Sequence, residues 1–225
     1  METGTFLIYD GTFEGFLTCA AQILEHDLQI SGLSADPGTQ NGLFTPTRNI
    51  PADRRIAEQL WESLGRKSSG LQRIIYFSFM VEKTQKERVI ISYLKQLFNS
   101  EEGGDPEKLR ELRNQLVAWT ARVEWEKRAA ESNLRFYPTA SDIPCGFIAP
   151  EHDILPLLTR HFRLRFGVAP WILFDSRRQY GLRSVDGQVS IIREKPVVKE
   201  FHVFDCSQAT PEKRFPETPA YRTAV

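Results

Sequence analysis

The feature that most constrains this chain is a change of hydrophobic period near Leu134. Between residues 51 and 131, apolar residues recur every three or four positions: Ile56, Leu60 and Leu64; Leu71, Ile74, Ile75 and Phe79; Ile90, Ile91, Leu94 and Leu97; Leu109, Leu112, Leu116, Trp119 and Val123. Side chains repeating at that interval line one face of a helix, so this stretch predicts a helical bundle. Ser69 with Gln72 has the spacing of a capping box at one of its helix starts. Beyond Leu134 the runs LRFY, CGFIA, WILFD, YGLRS and QVSII are short and β-like, and one helix, roughly 154–166, interrupts them. Asp186-Gly187 between the last two runs predicts a hairpin, because both residues accept a positive φ at little cost. VVKEFHVFDC adds a final candidate strand.

The N-terminal segment repeats the strand-to-helix switch on a smaller scale. Thr5–Tyr9 reads as a strand ended by Asp10-Gly11, and Phe13, Phe16, Leu17, Ala20, Ile23 and Leu24 follow at helical spacing with Thr12 as N-cap. Residues 31–51, rich in Gly, Ser, Thr, Asn and Pro, read as a long loop. The expected fold is α+β: a mostly antiparallel sheet from the first strand and the C-terminal third, packed against the helical middle of 51–131. A lone first strand needs partners for its backbone groups, so Thr5–Tyr9 is expected to join the C-terminal sheet. One domain over 1–207 and a flexible tail over 208–225 complete this reading.

Composition narrows the function classes. The 225 residues hold 29 Lys+Arg and 29 Asp+Glu, a formal charge of zero, which lacks the strongly basic footprint of an autonomous nucleic-acid binder. No apolar run nears the roughly 20 residues of a membrane span, and the N-terminus lacks the features of a signal peptide, so a cytoplasmic protein without membrane contact is expected. Three cysteines without C-x-x-C spacing and four scattered histidines suggest no metal site and no cofactor. Phosphate-loop, dinucleotide-fingerprint, nucleophile-elbow and zinc-deaminase motifs are absent from the sequence.

The charge is unevenly placed. Residues 1–47 carry six acids and no Lys or Arg, whereas residues 160–183 carry six arginines and the single acid Asp175. The planar donor fork of arginine suits phosphate and carboxylate, which makes the second segment a candidate anion-binding surface; the alternative is that its arginines pair internally with the acidic N-terminus. Trp171 to Asp175 followed by Arg177 and Arg178 places an aromatic, a carboxylate and two guanidiniums at a strand and its turn, where bases could stack and phosphates be clamped. Asp10 and Glu14 form an acidic pair one helical turn apart, suited to acid–base work or to helix capping. Asp153 reads as the N-cap of the 154–166 helix, and His161 as a histidine among core residues.

YDGTFEGFLTCA at the start, LRF after the long helix, and GFIAPEHDILPLLTRHFRLRFGVAPWILFDSRRQYGL together resemble a bacterial family labelled "probable DNA metabolism protein". The resemblance spans roughly residues 6–190. Members are similar in being encoded beside a radical-SAM DNA-repair protein, and the same domain occurs fused to a uracil-DNA glycosylase-like domain. The resemblance therefore implies a role in DNA repair or modification, with DNA and the radical-SAM protein as partners. The matching positions include Asp10, Gly11, Phe13 and Gly15, then Arg135 and Phe136, then Asp153, Pro156, His161, Phe162, Arg165, Phe166, Trp171, Asp175, Arg177, Arg178 and Gly181. Relatives often read E-A-H-R before the LRF; here Glu126 remains, with Arg128 and Ala129 in place of the last two. The family brings no established catalytic residues. The expected function is a non-enzymatic accessory that binds DNA or a repair enzyme through Arg135, His161, Arg165, Trp171, Asp175, Arg177 and Arg178. The alternatives are a small enzyme acting on nucleic acid through Asp10, Glu14 and Asp175, and a protein-interaction scaffold without nucleic-acid contact.

Overall fold

The computed structural model describes residues 4–36, 46–99 and 105–206; the expected tail over 208–225 lies outside them. Six helices and nine strands among these residues make the fold α+β. The described residues gather into two compact units, divided between Trp125 and Glu126. No described helix is long and apolar enough to cross a membrane.

The first unit opens with β1 (Thr5–Ile8), α1 (Phe13–Glu25) and β2 (Ile30–Ser34), followed by β3 (Thr47–Asn49). These strands form their own parallel sheet in the order β2-β1-β3. The expectation that the first strand joins the C-terminal sheet is therefore corrected. Its backbone groups are satisfied within 45 residues of sequence by two strands hidden in the expected loop. Both are edge strands, β2 half-exposed and β3 exposed, so neither needs the apolar alternation that marks a strand in sequence. The Thr12 hydroxyl accepts from the Gly15 N–H at 2.9 Å, capping α1 as expected. Asp10 braces the same turn, accepting from the Thr12 N–H at 3.0 Å and the Thr12 hydroxyl at 2.7 Å, and a Cβ on Gly15 would strike that carboxylate.

The helical run comprises α2 (Arg54–Lys67), α3 (Ser69–Phe79), α4 (Lys86–Asn99) and α5 (Pro106–Asn133), the last running across the division between units. Asp53 caps α2, its carboxylate accepting from the Ile56 N–H at 3.1 Å. Phe16, Ile23, Leu64, Ile75, Ile90, Leu94 and Leu116 are buried, the faces their spacing predicted. The Ser69–Gln72 box is replaced: Ser68 caps α3, and the Gln72 amide donates to the Trp61 carbonyl at 2.8 Å. Ser68 also ends α2, so the cap falls where two helices meet rather than one residue later.

The second unit is built on β4 (Phe136–Pro138), β5 (Pro144–Ile148), α6 (Leu155–Phe166), β6 (Trp171–Asp175), β7 (Tyr180–Val185), β8 (Gln188–Ile192) and β9 (Val203–Phe204). Strands run in the order β4-β5-β6-β7-β8, and β9 pairs with β5. Three of the five pairings are antiparallel; β5–β6 and β5–β9 are parallel, the former joined through α6. The Asp186-Gly187 turn has φ of 50° and 75°, the doubly positive geometry of a type I′ hairpin. Alternate residues of β6 face opposite ways. Trp171 packs on Phe162 and Phe166 of α6, while Ile172 and Phe174 join Cys145 and Phe147 in a second apolar layer completed by Val198 and Val203.

Candidate functional site

Because β5, β6 and β9 are parallel, their carboxyl ends share one edge of the sheet. That edge collects the segments 149–153, 175–178 and 205–206. In sheets with parallel strands this is where polar chemistry is usually housed, since the loops leaving the strands converge there.

Asp175 closes β6 and is fully buried. One of its oxygens accepts from the backbone N–H groups of Arg177 (2.8 Å) and Arg178 (3.0 Å), and the other from the Arg178 guanidinium at 2.8 Å. The same guanidinium donates to the carbonyls of Pro150 (3.3 Å) and Glu151 (2.7 Å). Arg178 thus ties the loop after β5 to the turn after β6. Glu126 of α5, only 4% exposed, holds that loop from the other side: its two oxygens accept from the backbone N–H groups of Glu151 (2.7 Å) and His152 (2.9 Å). Burial raises the Glu126 carboxyl above the ordinary carboxylate range, against the pull of those two N–H donors.

Asp153, expected as the cap of α6, does not cap it. Ile154 occupies the N-cap position without a side-chain bond, and Asp153 accepts from the Tyr180 hydroxyl at 2.5 Å. Burial and the Asp153 charge push the Tyr180 hydroxyl upward, so it stays a donor. Cys206 lies in the same negative surroundings, its thiol pushed up to about 12 by burial and then by Glu126, Asp205 and Asp175. Among the described residues, no group of three or more His, Cys, Asp or Glu gathers as metal ligands. This edge is a cross-braced polar framework in which the Glu126, Asp153 and Asp175 carboxylates are already engaged.

The Arg-rich segment is split by the β5–α6–β6 crossover. A helix joining two parallel neighbours must run back along the sheet, so the end of α6 lies at the start of β6, where Phe166 meets Trp171. Arg177 and Arg178 sit at the opposite end of that five-residue strand, roughly 17 Å away. The seven residues expected to form one face therefore fall into two groups and a buried remainder. Trp171 is that remainder: fully buried between α6 and the sheet, it leaves no ring face for a base. Its bulk, not its stacking capacity, explains its place.

The second group surrounds Phe136. Arg165 lays its guanidinium over the Phe136 ring (5.4 Å) and the Phe166 ring (5.6 Å), and Arg135 immediately precedes Phe136. His161, one helical turn before Arg165, is half-buried, edge-on to Phe162, and lies 3.7 Å from the Glu131 carboxylate, which also accepts from Lys127 at 2.6 Å. Arg135, Arg160, Arg163 and Arg165 are exposed and form no ion pair among the described residues. Leu164, 78% exposed, and Val168, 76% exposed, project from the same end of α6. Arg160 and Arg163 share its exposed stripe; beyond the pattern of arginines, the chain carried no signal that Phe136 and Phe166 would cradle Arg165.

Asp10 and Glu14 belong to the first unit. Asp10 is committed to the Thr12 turn; Glu14, exposed on the first turn of α1, edges an aromatic recess with Phe13 and Trp61.

No curated protein and no solved structure matches the chain. A family model described as a domain of unknown function, DUF4130, matches residues 84–215, which is more than half of the chain and includes the Glu126 brace, the Arg178 tie and the α6 arginines. The protein belongs to that family.

Proposed function

We propose that this protein is a non-enzymatic accessory of DNA repair or modification, and that its second unit binds DNA through the Arg135, Arg160, Arg163 and Arg165 end of α6. One observation carries the proposal: Arg165 holds its guanidinium over two aromatic rings and pairs with no carboxylate among the described residues, in a chain with as many acids as bases. An exposed guanidinium that spends no N–H on a carboxylate keeps its planar donor fork available for two parallel bonds to a phosphate. Residues 126–225 hold 15 Lys+Arg against 12 Asp+Glu, so the unit that bears these arginines is itself cationic. The family resemblance supplies the repair context and the radical-SAM protein as the partner to test.

Both oxygens of Asp175 accept from Arg177 and Arg178 donors, which supports a bracing role for it over the acid–base role of the enzyme alternative. Fluorescence anisotropy with labelled single- and double-stranded oligonucleotides, from about 50 to 300 mM salt, tests the proposal. Removing two phosphate contacts by Arg163→Ala with Arg165→Ala should weaken binding about tenfold or more near 100 mM salt and shallow the log–log slope by about one to two. A folded double variant with unchanged affinity and slope would exclude this face and favour the protein-interaction scaffold.

A further inference from the structure

We infer that the first unit carries a separate recognition pocket for a lysine side chain, free or methylated, presented by a basic segment of a partner protein. The inference is independent of the DNA-binding proposal. Three helices bring one ring each to a recess of about 300 Å³: Phe13 at the start of α1, Trp61 on α2 and Tyr76 on α3. Phe13 meets Trp61 edge-on, with centroids 5.4 Å apart at 90°, and Tyr76 at 4.9 Å and 65°. Rings set at steep mutual angles present π faces and edges from several directions, and all three are half-buried rather than sealed in the core. Leu17 and Ala57 complete an apolar wall.

The mouth is charged where an apolar pocket would need no charge. Glu14 and Glu58 stand at its rim, both exposed. The chain already draws one cation there: the Arg54 Nε donates to Glu58 at 2.7 Å, and Arg54 is made more basic by Glu58 first and by Glu14 as well. Glu14 itself forms no ion pair among the described residues. The surrounding field has the same sign, since residues 1–125 carry 17 Asp+Glu against 14 Lys+Arg, and the first 47 residues hold six acids with no Lys or Arg. Aromatic faces attract a cation whose shell is apolar, carboxylates attract its charge, and an aliphatic wall accepts its stem. A lysine, with four methylenes ending in a compact ammonium, meets all three requirements; a purely apolar side chain would leave Glu14 unused, Glu58 being already paired with Arg54 of the same rim.

The test uses the full chain and three versions of one short glycine-flanked peptide, whose central residue is lysine, trimethyllysine or norleucine. Binding is read from the Trp61 indole N–H resonance, assigned with Trp61→Phe. The expected result is a saturable shift with the lysine or trimethyllysine peptide and binding of norleucine about tenfold weaker, the ratio a partly desolvated cation–π contact with carboxylate support gives. Glu14→Gln, at an exposed position, should weaken the cationic peptide about threefold to fivefold while leaving the thermal midpoint unchanged. Tyr76→Leu should weaken it further if the fold is kept, and Glu14→Gln decides the matter if it is not. Norleucine binding as well as lysine would make the recess an apolar groove and overturn the inference. So would the absence of any shift, or a Glu14→Gln protein that binds like the parent.

Discussion

Arg178 sits in the stretch of sequence that looks most like a binding surface, yet its guanidinium faces inward. Replacing it with alanine removes the donor to the fully buried Asp175 and the donors to the Pro150 and Glu151 carbonyls. Asp175 keeps two backbone N–H bonds, so its charge is not stranded outright, but its second oxygen loses its partner. Breaking a buried ion pair from one side costs about 3–5 kcal/mol, and the retained N–H bonds place Arg178→Ala near the lower end, about 3 kcal/mol. Urea unfolding of the full chain measures this, with backbone amide exchange across 150–153 and 175–178 locating the loss. A double-mutant cycle with Asp175→Asn isolates the pair: the double variant should be about 1–3 kcal/mol more stable than the two single losses summed. Arg177→Ala is the internal control, since its exposed side chain forms no ion pair among the described residues; its effect should stay within about 0.5 kcal/mol. An Arg178→Ala protein within about 1 kcal/mol of the parent, or a cycle with no coupling, would refute the reasoning. Adjacent in sequence and alike in chemistry, Arg177 and Arg178 are separated by the geometry.

Glu126 adds a pH signature. Its folded carboxyl is raised by burial and by the Glu151 charge, against the Glu151 and His152 N–H groups and Arg178, so the folded state holds a proton that the unfolded state releases at ordinary carboxylate pH. Stability should therefore fall as pH rises from the ordinary carboxylate value through the raised one, and urea midpoints of Glu126→Gln should lack that fall; parallel pH profiles would sink the idea. Cys19, Cys145 and Cys206 are buried with thiols pushed up to about 12, so a disulfide reagent at neutral pH should label none of them in the native protein and all three in denaturant. Rapid native labelling of any one would contradict the burial.

The sequence by itself determined what depends on neighbours a few residues away. Helical spacing marked the buried faces of α2 to α5, Thr12 was legible as a cap, and Asp186-Gly187 as a hairpin, because each is decided by backbone geometry within one turn. The resemblance likewise gathered most of the residues now seen in the second unit. Only tertiary structure decided which partners those residues took. Asp153 had the sequence setting of a cap but found the Tyr180 hydroxyl 27 positions on, and Glu126 found its partners in a loop 25 residues away that turned its N–H groups toward it. β1 paired with two strands too polar to be recognised, since an exposed edge strand has no buried face to write into its sequence. The six arginines of 160–183 were contiguous in sequence, but a helix between parallel strands must double back. That reversal left Arg165 on two aromatic rings at one end of the sheet and locked Arg178 onto Asp175 at the other.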